Sequence, residues 1–99
     1  MLNAGFPMTD TQLLQELEAL AERLSIEVST ANLEGTPGGL CRYGGKWRVM
    51  VERRLTVPER VEVFLKALSR MPLEDMFVVP EVRERIEEMA KGERRKAKG

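Results

Sequence analysis

Enzymes work through bases, nucleophiles and metal cages, so the first question is which side chains here offer one. Residues 38–55, GGLCRYGGKWRVMVERRL, hold the chain's only cysteine, tyrosine and tryptophan. Arg42, Lys46, Arg48, Arg53 and Arg54 lie among them. The chain has no histidine. That removes imidazole bases, imidazole metal ligands and the histidine that activates a serine or cysteine nucleophile. Cys41 is therefore read as a small apolar residue in a strand. One cysteine without histidine does not fill a tetrahedral zinc site. No oxygen-rich calcium loop is present. GTPGG and GGK lack the spacing of a phosphate-binding loop and read as loop and turn. Glu74-Asp75 and Glu87-Glu88 are neighbours in sequence. Neighbours on a helix point about 100° apart, so these pairs belong on solvated faces and do not converge. The expectation is no catalytic residue, no metal and no cofactor: the chain is not an enzyme.

The same stretch also interleaves aromatic and basic side chains. Bases stack on rings while cations meet phosphates, so Tyr43, Lys46, Trp47 and Arg48, with Arg53 and Arg54 beyond, carry a nucleic-acid reading. Charge distribution argues against it. The 99 residues balance 16 basic against 16 acidic side chains, and nucleic-acid binders are more often basic overall. The charge comes in blocks. Residues 1–40 hold six acids and one base, 41–70 eight bases and three acids, 71–90 six acids and two bases, and 91–99 five bases and one acid. Acidic helices facing a basic hairpin would satisfy that pattern.

The elements that position these residues follow from period and punctuation. Thr9 with Gln12 forms a capping box. Leu13, Leu14, Leu17, Leu20, Ala21 and Leu24 then recur at helical spacing, with Glu16, Glu18 and Glu22 opposite. Ile26 and Val28 alternate with polar residues as a short strand. NLEGTPGG is a loop. Gly44-Gly45 supplies the two positive φ angles of a type I′ turn. A hairpin turning there sets Arg42 opposite Trp47 and Leu40 opposite Val49. Leu40, Arg42, Trp47, Val49 and Val51 then share the core-facing side. Cys41, Tyr43, Lys46, Arg48 and Met50 take the other. A cation–π contact between Arg42 and Trp47 near the rim is expected.

A second helix opens at the capping box Thr56/Glu59, with Pro58 in its first turn. Val61, Phe64, Leu65, Leu68 and Met71 form its inner face. Val63 and Ala67 widen the apolar arc, and a helix that broad packs on two neighbours: a third helix supplies the second contact, or a partner protein does so instead, for which Val63 and Ala67 look exposed. Pro72 ends this helix. Met76, Phe77, Val78 and Val79 form an apolar connector. Pro80 opens a third helix with Val82, Ile86 and Met89 inward, Glu81 paired with Arg85, and Gly92 as its stop. The expected fold is α+β. A small antiparallel sheet, a short strand plus the β-hairpin, packs against three helices in the order α-β-β-β-α-α. Residues 1–91 form one domain with an N-terminal arm at 1–8, and 92–99 form a basic flexible tail. One cysteine, no long apolar run and no signal-like leader point to the cytoplasm and to no membrane partner.

LAERLSIEVST and GGLCRYGGKWRVMVERRLTVPERVEVFLKAL, about residues 20–68, resemble the N-terminal half of ImmA/IrrE-type metallopeptidase domains. In that family a helix ending in lAe.lgI.V, a loop and a glycine-turned hairpin precede an L...ER segment that opens the active-site helix, which carries a His-Glu-x-x-His zinc motif. Aligned on Glu59-Arg60, the motif's histidines fall on Ala67 and Met71 and its glutamate on Leu68. Aligned on Leu68, they fall on Lys66, Arg70 and Ala67. Neither register offers a ligand or a base. The resemblance implies a zinc-less, catalytically dead relative. The chain is also similar to small bacterial proteins of about this length. The expected function is a non-catalytic module that binds a protein partner or itself, with Tyr43, Lys46, Arg48, Arg53, Arg54, Val63 and Ala67 as candidate surface residues. Nucleic-acid binding through the hairpin and tail is the alternative.

Overall fold

The computed structural model describes residues 8–98, with side chains described through Glu93. Residues 1–7 of the expected arm lie outside the described residues, as does Gly99. Helix α1 spans Asp10–Arg23 behind the expected Thr9/Gln12 capping box, and buries Leu13, Leu17, Leu20 and Ala21. Its end is a Schellman turn. Ser25 N–H donates to Glu22 O at 3.0 Å and Ile26 N–H to Ala21 O at 2.9 Å, with Ser25 at φ 61°. That left-handed position normally holds glycine, since Cβ crowds the backbone there. Ser25→Gly should therefore raise stability by about 0.5–1 kcal/mol. A higher urea midpoint at unchanged slope checks this, and an unchanged midpoint would count against strain at Ser25.

Strands β1 (Glu27–Ala31), β2 (Gly38–Tyr43) and β3 (Lys46–Glu52) form one sheet in the order β1-β3-β2. The β2–β3 hairpin has the expected register, with Leu40 opposite Val49 and Arg42 opposite Trp47. Gly44 and Gly45 both carry positive φ, as a primed turn requires. The sheet is mixed, not antiparallel, because β1 runs parallel to the central β3. The cause is the loop 32–37. It carries the chain past the place of β3 to the far edge, two strand spacings or about 10 Å away, and the hairpin then returns β3 into the gap. The β1 strand begins one residue later than its alternation suggests. Ile26 is buried ahead of it, while Val28, on an edge strand, is exposed.

Helix α2 (Val57–Leu68) follows the Thr56/Glu59 capping box, with proline in its first turn. It packs on α1, on the third helix and on both strands of the hairpin, which makes it the central element. The Arg60 guanidinium ties its entry turn by donating to Leu55 O at 3.2 Å and Arg53 O at 3.0 Å. The connector after α2 is held by Arg83, which donates to Leu73 O and Met76 O at 3.1 and 2.7 Å. Val78 is buried in this connector and Phe77 is exposed. Helix α3 (Pro80–Lys98) buries Val82 and Ile86, with Met89 packed at the edge of the core.

Gly92 does not stop α3. Its φ is not among the positive ones, so the helix continues through it to Lys98 where a flexible tail is expected. A glycine inside a helix costs about 1 kcal/mol relative to alanine, too little to break a run otherwise rich in helix formers. Glu81 does not form the expected bond with Arg85. Its carboxylate accepts the Met8 N–H at 3.1 Å and so pins the start of α1 to the start of α3.

Candidate functional site

The candidate residues divide between two surfaces. The first is the sheet face turned away from the helices. Period two places Cys41, Tyr43, Lys46, Arg48, Met50, Glu27, Ser29 and Ala31 on it. Cys41 lies in a strand as expected, but it is exposed. Arg48 is already engaged. Its Nη2 and Nε donate to Glu27 Oε1 at 2.7 and 3.2 Å, and its Cζ lies 5.3 Å from the centre of the Tyr43 ring. The basic hairpin thus finds its carboxylate on the neighbouring strand, not on an acidic helix. Tyr43 itself is 69% exposed. Arg42 stacks over Trp47 at 4.9 Å, as the hairpin register requires.

Arg53 and Arg54 do not join this patch. They lie beyond the other end of β3, about 23 Å along the strand from Lys46 at 3.3 Å per residue. Their backbone N–H groups close the turn by donating to Ala31 O and to Glu52 Oε2. A nucleic-acid strand would meet two separate cation pairs, with the Glu27 and Glu52 carboxylates between them.

The second surface surrounds Val63 and Ala67. They are not exposed: Val63 retains 5% and Ala67 2% of their surface. The wide apolar arc of α2 is met by the β2 edge of the sheet as well as by α1 and α3. The two side chains form the floor of an open groove of about 690 Å³ between β2 and α2. Gly38, Gly39 and Leu40 line its strand side. Glu62, Lys66 and Arg70 line its helix side. A shallower depression of about 440 Å³ continues the groove past Leu55 and Pro37 to Glu34, Glu52 and Arg54. The trough is therefore polar in charge. Glu34, Glu52, Glu59 and Glu62 outnumber Arg54 at one end, while Lys66 and Arg70 outnumber Glu93 at the other.

Glu62, Lys66 and Arg70 were not among the candidate surface residues singled out from sequence. Their spacing of four marked a single flank of α2, but only the approach of β2 makes that flank the wall of a groove. Among the described residues no three cysteine, aspartate or glutamate side chains gather as a metal cage. Glu74, Asp75, Glu87 and Glu88 are all exposed.

Three carboxyls are held below the ordinary carboxylate value. Glu27 is lowered by its hydrogen bond from Arg48 and by that residue's charge. Glu52 is lowered by the backbone N–H groups of Leu33 and Arg54. Glu59 is lowered by the N–H and hydroxyl of Thr56 in the capping box. These partners exist only in the folded chain, so each folded value lies below the unfolded one. The stabilisation is complete above the unfolded value and is lost as pH falls through the folded one. Urea midpoints should fall between about pH 5 and about pH 3, and Glu59→Gln should flatten part of that fall. Equal slopes in wild type and variant would remove Glu59 from the account.

No helix among the described residues is long and apolar enough to cross a membrane. No protein family, curated relative or solved structure matches this chain.

Proposed function

We propose that this chain is a non-catalytic protein-interaction module of the cytoplasm, and that its working surface is the trough between β2 and α2. The observation that carries this reading is the groove of about 690 Å³, with an apolar floor at Val63 and Ala67 and a charged flank on its helix side. Interfaces that recognise protein segments combine an apolar centre with a polar rim. The ImmA/IrrE resemblance belongs to the same proposal. Helix α2 takes the place of the active-site helix, and Ala67 and Leu68, where that helix would carry histidine and glutamate, are buried apolar side chains.

The test is affinity capture with wild type and with the charge-swapped Glu62→Lys/Lys66→Glu variant. Both positions are exposed, so the fold should survive the exchange. A protein retained by the wild type and released by the swap is the expected result. Nucleic-acid binding is the second reading, favoured by Tyr43 standing exposed beside Lys46 and Arg48. Tight binding of mixed RNA or DNA at low salt, weakened by Tyr43→Ala/Lys46→Ala and steeply lost at high salt, would overturn the first reading in its favour.

A further inference from the structure

The hairpin's hydrogen-bond parity determines which backbone groups of β2 are free. Glu52 N–H donates to Pro37 O at 2.9 Å, which makes Pro37 and Glu52 a hydrogen-bonded pair. In an antiparallel ladder such pairs alternate, so Gly39, Cys41 and Tyr43 also turn their N–H and C=O groups toward β3. Leu40 and Arg42 turn theirs outward. Among the described residues neither has a backbone partner on that side. Among the described residues the sheet's one other strand, β1, lies beyond β3. A free strand edge therefore runs beside the groove, with α2 as the opposite wall.

We propose that the occupant of the trough is an extended peptide segment of a partner protein that adds to β2 as a fourth strand. This rests on the interaction reading above and names its ligand class. The incoming backbone bonds to the outward groups of Leu40 and Arg42. Every second side chain drops toward Val63 and Ala67, on the face that Leu40 shares. Strand addition of this kind draws affinity from the main chain and selectivity from alternate side-chain pockets. Size agrees. The 12 residues of α2 make a wall about 18 Å long, which spans roughly five or six extended residues. Charge gives the direction. A cationic residue of the peptide lies at the Glu59/Glu62 end, and an anionic residue or a C-terminal carboxylate at the Lys66/Arg70 end. A second copy of this chain is a poorer occupant, since its own free edge, Gly38–Tyr43, offers one cation, Arg42, and no acid for the basic end.

The test is selection from a random heptapeptide display library on the purified full chain. The enriched peptides should carry alternating apolar residues with a cation toward one end and an acid toward the other. Binding of an enriched peptide should shift the NMR amide signals of Leu40 and Arg42 and slow their hydrogen exchange, with little change in the exchange of Cys41. Arg42→Pro removes an outward N–H and no ladder bond, and proline is tolerated on edge strands. It should weaken the peptide about tenfold, whereas Arg42→Ala, which keeps the N–H, should not. The Glu62→Lys/Lys66→Glu swap should reverse the charge order of the selected sequences.

An empty selection would overturn strand addition. So would shifts confined to β1, or a dimer in sedimentation that Arg42→Pro dissolves. If a protein captured by the wild type is still released by the charge swap while no heptapeptide is enriched, the partner docks as a folded body. The interaction reading then stands and the extended-strand inference falls.

Discussion

Gly38→Ala should destabilise the fold by on the order of 2–5 kcal/mol, whereas Gly39→Ala, one residue on, should be close to neutral. Gly38 has φ 116°, a conformation that residues with a Cβ rarely adopt. A Cβ placed there would lie 2.0 Å from the carbonyl oxygen of Met50 and 2.8 Å from its carbon. That neighbour is backbone of the central strand and cannot swing aside as a side-chain end could. Either β2 retreats from β3 at its first residue or the chain leaves this conformation. Gly39 has nothing within 4 Å of its added Cβ and no positive φ. Urea unfolding of the two variants side by side is the measurement. Equal midpoints would show that β2 does not approach β3 as closely as described. The result also bears on function, because Gly38 and Gly39 both line the groove. A folded Gly39→Ala variant with altered peptide affinity would separate groove shape from stability.

Phe64→Ala should cost about 3–5 kcal/mol. Phe64 heads the fully buried side chains of the core and retains 1% of its surface. It sits on α2, the helix that touches α1, α3 and two strands, so the cavity left by its ring would open at the junction of the layers. A domain of this size is stable by only about 5–15 kcal/mol, so the variant would lie near the limit of folding. The melting temperature should fall by roughly 12–40 °C, from about 4–8 °C per kcal/mol. Phe64→Leu, which refills most of the volume, should recover much of that loss. A drop below about 1 kcal/mol for Phe64→Ala would mean that α2 is not the hub of the core.

The proposals about the groove depend on this same hub. Val63 lies one residue before Phe64 in the chain, and Ala67 follows three after it, a turn further along the helix. Variants that loosen α2 will disturb the floor of the trough together with the core. That is why the functional tests use exposed wall positions, Glu62 and Lys66, and the edge position Arg42.

Much of the local architecture was legible in residue order, because its causes act over a few residues. Thr9 with Gln12 and Thr56 with Glu59 cap their helices through bonds three positions apart. Gly44-Gly45 dictates the turn, and the period of two then sets the Leu40–Val49 and Arg42–Trp47 pairs without reference to the rest of the chain. The stacking of Arg42 on Trp47 follows from that register. Even the element order α-β-β-β-α-α is a reading of periods and breakers taken in sequence.

Features that join distant residues were settled only by packing. Nothing local says that β1 will lie parallel to β3, since pairing depends on where the loop 32–37 delivers the next strand. The sign of a residue's exposure is equally non-local. Val63 and Ala67 look spare on a helical wheel because the wheel has no neighbours, yet packing leaves them only 5% and 2% of their surface, at the bottom of the groove. Arg53 and Arg54 are five and six residues from Arg48 and read as one patch with it, but an extended strand sets them far apart. Gly92 carries the residue type of a stop, yet its backbone stays helical. The groove itself has no signature in residue order. Its strand wall comes from residues 37–40 and its helix wall from residues 58–70, and only the fold brings a free strand edge to face a charged helix flank. Capping, turn chemistry and periodicity are short-range physics carried by the chain's own order. Which surface meets which is decided by the competition of all apolar faces for burial, and that competition has an outcome only in three dimensions.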